Sequence, residues 1–211
     1  MDDIPSRIEH TVLGPETTWD AVRQVLDEAE AFGMRACVPP CYVAEATEYA
    51  PDTEVSTVIG FPHGQHTVST KCTEATAAWK AGANELDLVP NLGRASADGA
   101  AFRSEIEELV AAVPIPVKVI LETSLFDEET IRSLSRDAAE ADVDFLKTAT
   151  GFADGGATVT DVELMAEFAP VKASGGVGSW AFAEELFEAG AERIGASSGD
   201  VIVTEYQEQA E

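Results

Sequence analysis

The sequence predicts an α/β protein, a single-domain (β/α)8 TIM barrel, on three observations. Eight short apolar runs alternate with seven longer amphipathic segments along the whole length. Glycine closes three of those segments just before an apolar run, in Phe32-Gly33-Met34, Ala81-Gly82-Ala83 and Ala189-Gly190-Ala191, where a helix ends in left-handed geometry. Finally, 211 residues shared among eight modules give about 26 each, near the lower size for such a barrel. A doubly wound open sheet is the rival. No G-x-G-x-x-G follows the first strand, however, and no G-x-x-x-x-G-K-[ST] occurs. No linker or low-complexity stretch divides residues 1–211, which read as one domain ending in a short acidic tail from about 200.

The elements follow in order. Strand 8–13 (IEHTVL) leads to a helix over 17–32, started by Thr17-Thr18, in which Ala21, Val22, Val25, Leu26, Ala29 and Phe32 share a face. Strand 34–38 (MRACV) precedes helix 40–49, 54–60 (EVSTVIG) precedes 67–81, and 84–89 (NELDLV) precedes 98–112. Strand 115–121 (IPVKVIL) is followed by helix 127–140, opened by Asp127 with Glu128-Glu129 in the first turn. Strands 143–148 (VDFLKT) and 170–173 (PVKA) lead to helices 158–168 and 179–189. After strand 192–196 (ERIGA) the acidic tail is the candidate eighth helix. Trp79, Phe102, Phe168, Trp180 and Phe182 fall mostly in helices and are assigned to the core.

Composition narrows the function. Thirteen Lys and Arg against 39 Asp and Glu give a net charge of −26, which repels nucleic acid and anionic lipid. With 45% hydrophobic residues the chain still buries a core. Acids spread along the chain, with only five lysines, suggest adaptation to high salt; the alternative is an acidic protein without it. The start, MDDIPSRIEH, lacks a signal peptide's apolar stretch, no run approaches the ~20 residues of a membrane span, and three cysteines form no disulfide framework. A cytoplasmic protein binding neither nucleic acid nor membrane is expected. Cys37-x3-Cys41 and His63-x2-His66 are poor metal spacings, and no metal is expected.

Three of the five lysines, Lys118, Lys147 and Lys172, lie in strand-like runs. In a barrel they converge inward, toward the face that carries active sites. Otherwise each snorkels to the rim or pairs with a carboxylate. Neighbouring buried ammonium groups lose a proton more easily, and a neutral amine attacks carbonyls to form a Schiff base. Asp87, in the apolar run Glu85-Leu86-Asp87-Leu88-Val89, is a candidate general acid/base or an ion-pair partner for those lysines. Ala173-Ser174-Gly175-Gly176-Val177-Gly178-Ser179 and Gly195-Ala196-Ser197-Ser198-Gly199 follow strands seven and eight. Barrels often hold a phosphate there, although glycine-rich turns also occur without one.

These runs, with Ile8-Glu9-His10-Thr11, Ala36-Cys37-Val38-Pro39-Pro40, Val58-Ile59-Gly60-Phe61-Pro62-His63-Gly64, Lys118-Val119-Ile120-Leu121-Glu122-Thr123 and Phe145-Leu146-Lys147-Thr148-Ala149-Thr150-Gly151-Phe152, resemble the 2-deoxyribose-5-phosphate aldolases over nearly the whole chain. The resemblance implies a class I aldolase on a (β/α)8 barrel. Such an enzyme reversibly cleaves 2-deoxy-D-ribose 5-phosphate to D-glyceraldehyde 3-phosphate and acetaldehyde, without metal or organic cofactor. It implies Lys147 as the Schiff-base lysine, Lys172 as the partner that lowers its pKa, and Asp87 as proton donor and acceptor. Gly151, Gly175, Gly176, Ser197 and Ser198 would bind the phosphate, and Cys37, Thr148 and Lys118 would line the substrate pocket. Partners would be a small sugar phosphate and an aldehyde, and a homo-oligomer, dimer or tetramer, is expected. Two departures stand out: Ala149 replaces a usual serine, and Gly178 stands where Arg or Lys is frequent. The runner-up readings are another phosphate-binding barrel, either an aldolase of different acceptor or an isomerase, and a non-catalytic sugar-phosphate binder.

Overall fold

Strand pairing closes on itself. In the computed structural model, which describes residues 3–210, eight parallel strands pair in sequence order and the eighth pairs with the first. They are β1 (Ile8–Thr11), β2 (Arg35–Val38), β3 (Val55–Ile59), β4 (Glu85–Leu88), β5 (Val117–Ile120), β6 (Phe145–Lys147), β7 (Val171–Ser174) and β8 (Ala191–Ala196). Around them run α1 (Trp19–Phe32), α2 (Val43–Tyr49), α3 (Val68–Lys80), α4 (Leu92–Ala95), α5 (Gly99–Val110), α6 (Glu128–Glu140), α7 (Val159–Met165), α8 (Trp180–Glu188) and α9 (Gly199–Ala210). Short 3-10 turns occupy Pro5–Arg7, Pro40–Tyr42 and Thr123–Leu125. No described helix is long and apolar enough to cross a membrane.

Six of the longer helices start at a side-chain cap. Thr18, Thr67, Asp98, Asp127, Thr158 and Ser179 each accept a hydrogen bond from the backbone N–H three residues on, satisfying a donor the first turn leaves free. The first six strands are shorter than their apolar runs, whereas β7 is shifted on by one residue and β8 starts one residue early. β5 begins at Val117 because Pro116 has no N–H for the ladder; its carbonyl accepts from Leu86 instead. The helix expected over 40–49 divides after Tyr42 into a 3-10 turn that starts at Pro40 and α2. The acidic stretch after 200 is α9, which buries Ile202 and Val203.

Pleating sends alternate residues of each strand to opposite sides. Ile8, Val38, Leu86, Leu88, Val117, Val119, Leu146 and Val171 belong to the apolar layer between strands and helices, with Phe102 and Trp180 buried in it. The opposite faces of β1, β4, β5, β6 and β7 bring charged side chains together inside the barrel.

Candidate active site

The barrel interior is a stack of ion pairs. Register sets Asp87 beside Lys118 on β4 and β5, and Lys147 beside Lys172 on β6 and β7. One carboxylate collects three amines: Lys147 Nζ donates to Asp87 Oδ2 at 2.7 Å, Lys172 Nζ to the same oxygen at 2.8 Å, and Lys118 Nζ to Oδ1 at 3.0 Å. Lys172 also donates to Glu9. Below, Lys118 pairs with Glu85 at 2.6 Å, and Glu85 meets Arg193 and Arg35.

Burial and charge compete at every member. Burial opposes ionisation of Asp87, but Lys118, Lys147 and Lys172 outweigh it and hold the carboxyl well below the usual carboxylate range. Glu9 is likewise raised by burial and lowered more strongly by Lys118 and Lys172, to about 2. Burial pushes Lys172 down, yet Asp87 and Glu9 raise its pKa above that of an ordinary lysine. Lys118 is raised by Asp87 and Glu9 against the same penalty. Two of the three amines are thus locked as ammonium between several carboxylates. Among the described residues Lys147 pairs with Asp87 alone, and of the three it is the lysine that reaches open space.

That space is a cleft of about 610 Å³ at the C-terminal ends of the strands, walled by Thr11–Gly14, Glu16, Thr17, Thr150–Phe152, Ser174–Val177 and Gly195–Ser197. Of the residues expected to hold phosphate, Gly151, Gly175, Gly176 and Ser197 line it, and Ser198 follows, half-buried, at the start of α9. Lys147 is the sole cation on this lining, with Glu16 opposed to it in charge. Gly178 is exposed and a side chain there would meet nothing. Ala149 is buried, packed where a β-carbon on Gly175 would come within 3.1 Å of it, so the missing hydroxyl faces a filled wall.

Three expected pocket residues do not line the cleft. Lys118 and Cys37 are fully buried beneath it, Lys118 because the inward pleat and three carboxylates draw its amine down the barrel axis. Burial also pushes the Cys37 thiol up. Thr148 is buried with its hydroxyl bonded to Ser174, donating to the carbonyl at 2.8 Å and accepting from the N–H at 2.9 Å. Two residues escaped the sequence reading. Glu9 shares the inward face of β1 with Thr11, the same alternation that exposed Asp87. Glu122 lies just past β5, where alternation no longer applies.

Metal-capable side chains meet in two places among the described residues. Glu9 and Asp87 both accept from the Lys172 ammonium, a cation that already occupies the space between them. At His10, Glu28 and Asp200, the Gly199 N–H donates to Nδ1 at 3.2 Å, so the ring proton sits on Nε2, facing Glu28 Oε2 at 2.6 Å. Neither ring nitrogen is left with a free lone pair. The exposed His63 and His66 join no such group.

Residues 20–203 match the family model described as DeoC/LacD family aldolase. The chain is 58% identical over 208 residues to the deoxyribose-phosphate aldolase of Haloarcula marismortui, covering 98% of this chain and 90% of that one. It is 57% identical over 203 residues to the corresponding protein of Natronomonas pharaonis, covering 96% and 94%. Both sources are halophilic archaea, in keeping with the acid-rich composition. Among solved structures, the tetrameric deoxyribose phosphate aldolase from Aeropyrum pernix superposes with a TM-score of 0.91 at 33% identity, covering 98% of this chain and 92% of that one.

Proposed function

This chain belongs to the DeoC/LacD family of aldolases, and on that premise we propose how its residues divide the work of a lysine Schiff base. The reaction is the reversible cleavage of 2-deoxy-D-ribose 5-phosphate to D-glyceraldehyde 3-phosphate and acetaldehyde, the activity of an aldehyde-lyase. The observation that carries the assignment is the single Asp87 oxygen shared by two amines, of which only Lys147 faces the cleft.

Lys147, as the neutral amine, adds to the C1 aldehyde of the open-chain sugar and loses water to give an iminium. Five carbons divide into two and three, so the bond that breaks is C2–C3. The C3 hydroxyl gives up its proton, C3 becomes the aldehyde of glyceraldehyde 3-phosphate, and the electron pair passes through C2 into the iminium, leaving an enamine. Protonation at C2 and hydrolysis then release acetaldehyde and the free amine. Asp87 moves the proton, because its oxygen already bonds the reacting nitrogen. Lys172, locked as ammonium, shares the Asp87 oxygen with Lys147. Gly151, Gly175, Gly176, Ser197 and Ser198 take the phosphate on N–H and hydroxyl donors near the starts of α8 and α9. The iminium supplies the electron sink, so these steps call for no metal or organic cofactor.

Borohydride reduction with acetaldehyde tests this. An ethyl group should be fixed on Lys147, Lys147→Ala should fold and not be labelled, and Lys172→Leu should be labelled more slowly at neutral pH. Labelling elsewhere, or none, overturns the assignment. A homo-oligomer, dimer or tetramer, belongs to the same proposal, supported by the tetrameric relative. So does a cytoplasmic location, since a sugar phosphate crosses no apolar barrier unaided.

A further inference from the structure

We propose that Glu122 is a positioning residue that fixes the substrate-facing turn Thr150–Phe152 and so sets how tightly the cleft takes its phosphorylated substrate. The inference rests on the function given above. Glu122 follows β5 at the rim of the barrel. It is only 4% exposed, and its backbone is left-handed, with φ +50°; Asp142 is the one other non-glycine residue with positive φ among those described. Both features are unfavourable in themselves. A buried carboxylate loses its hydration, and a side chain in the left-handed region crowds its own backbone. Such a conformation persists where the surroundings hold it, and it gathers at ligand sites.

The carboxylate reaches from the end of one strand to the loop after the next. Thr150 N–H donates to both of its oxygens at 3.2 Å, and the Thr150 hydroxyl donates to Oε2 at 2.6 Å. The same hydroxyl oxygen accepts the Phe152 N–H at 3.1 Å. No lysine or arginine among the described residues pairs with Glu122, so the Thr150 donors are its compensation.

The held turn is part of the cleft wall. Thr150, Gly151 and Phe152 all line it, and the Phe152 ring stands edge-on to Phe61, with centroids 5.2 Å apart and planes at 83°. Without an acceptor, two buried donors of Thr150 go unpaired and the turn loses its fixed distance from the facing loops. Lys147 depends on none of this, being held by β-pairing and Asp87. Glu122 therefore acts on substrate capture and leaves amine chemistry alone.

Glu122→Gln takes the charge and one acceptor oxygen from the link, and Thr150→Val takes the hydroxyl while leaving the Thr150 N–H in place, so each weakens it from one end. Each should raise KM for 2-deoxyribose 5-phosphate about tenfold, the order expected from one charge-assisted hydrogen bond. The kcat should change less than threefold. The rate of borohydride trapping at Lys147 with acetaldehyde, which has no phosphate arm, should stay at the wild-type value. The double variant should be no worse than the worse single one, because both weaken one link. An unchanged KM in either folded variant, or trapping that falls in parallel with KM, overturns the proposal; if Glu122→Gln does not fold, Thr150→Val decides. Wild-type protein without retro-aldol turnover removes the functional reading and this proposal together, whereas wild-type turnover with unchanged KM in the variants removes the proposal alone.

Discussion

Lys172 carries two jobs that pull on the same proton. Bonded to both Glu9 and Asp87, it is the counterion that lets two carboxylates remain ionised out of water. In the proposed mechanism it also remains charged beside Lys147. Linkage gives the sign of the consequence. Glu9 drops from an ordinary value near 4.5 to about 2, so its contribution to stability is present above pH 4.5 and lost as pH falls toward 2. Lys172 is raised above its ordinary 10.5, so its contribution is complete below that pH and lost only as pH rises through the raised value. The protein should show a flat Tm from about pH 5 to about pH 10 and an acid-side fall between pH 4.5 and 2. Glu9→Gln should flatten part of that fall, and thermal melts across the range would show it. A steep Tm change near neutrality would mean that other groups govern stability.

Two loops meet through glycine beside the cleft. Gly156, before α7, lies against Gly175, after β7, so closely that a β-carbon on Gly156 would sit 2.4 Å from the Gly175 carbonyl oxygen. The adjacent Ala157 N–H donates to that same oxygen at 3.0 Å. Gly156→Ala must push the loops apart and lengthen this bond. It should destabilise the fold by about 1–3 kcal/mol, as overpacking does, and raise KM for the phosphorylated substrate. Gly178→Ala, where a β-carbon meets only open space, should stay within about 0.5 kcal/mol in the same denaturant titration. This pairing explains what the sequence could reveal. The modules were legible because apolar alternation survives even where strand ends are overrun, as at Pro116. Lys147, Lys172 and Asp87 were legible because each is a charge in an apolar strand. Glu9 was masked by polar neighbours, His10 and Thr11, in its own strand. α4 is four residues capped by Asn91, too short to show a period. α9 was legible only as a candidate helix, since Ile202 and Val203 are its buried apolar residues. Glu122 owes its role to Thr150, a residue from another loop, and no local pattern records such a meeting.

Across the whole molecule, charge is sorted by depth. Among the described acids, Glu9, Glu85, Asp87, Glu105 and Glu122 are buried, and each bonds a lysine amine or the donors of Thr150. The others remain at least partly at the surface, while four of the thirteen cations (Lys71, Lys118, Lys147 and Lys172) are buried, so the surface acids far outnumber the cations left beside them. Surface repulsion reaches about 10 Å in 0.1 M salt and about 3 Å in 1 M, while buried pairs are screened far less. Added salt should therefore stabilise the protein through its surface and leave the barrel interior as it is. Tm should rise by about 10 °C or more between 0.1 M and 2 M KCl, a few kcal/mol for a chain of this size. Salt can also stabilise by exclusion from apolar surface, whatever the charge. Reversing three exposed acids on α1 and α2, Glu30→Lys, Glu45→Lys and Glu48→Lys, separates the two, because it takes the net charge from −26 to −20 without touching the interior. If screening of repulsion is the cause, the triple variant gains less from salt than the wild type and is the more stable of the two at 0.1 M. An equal gain in both would mean that the acids do not set the salt response.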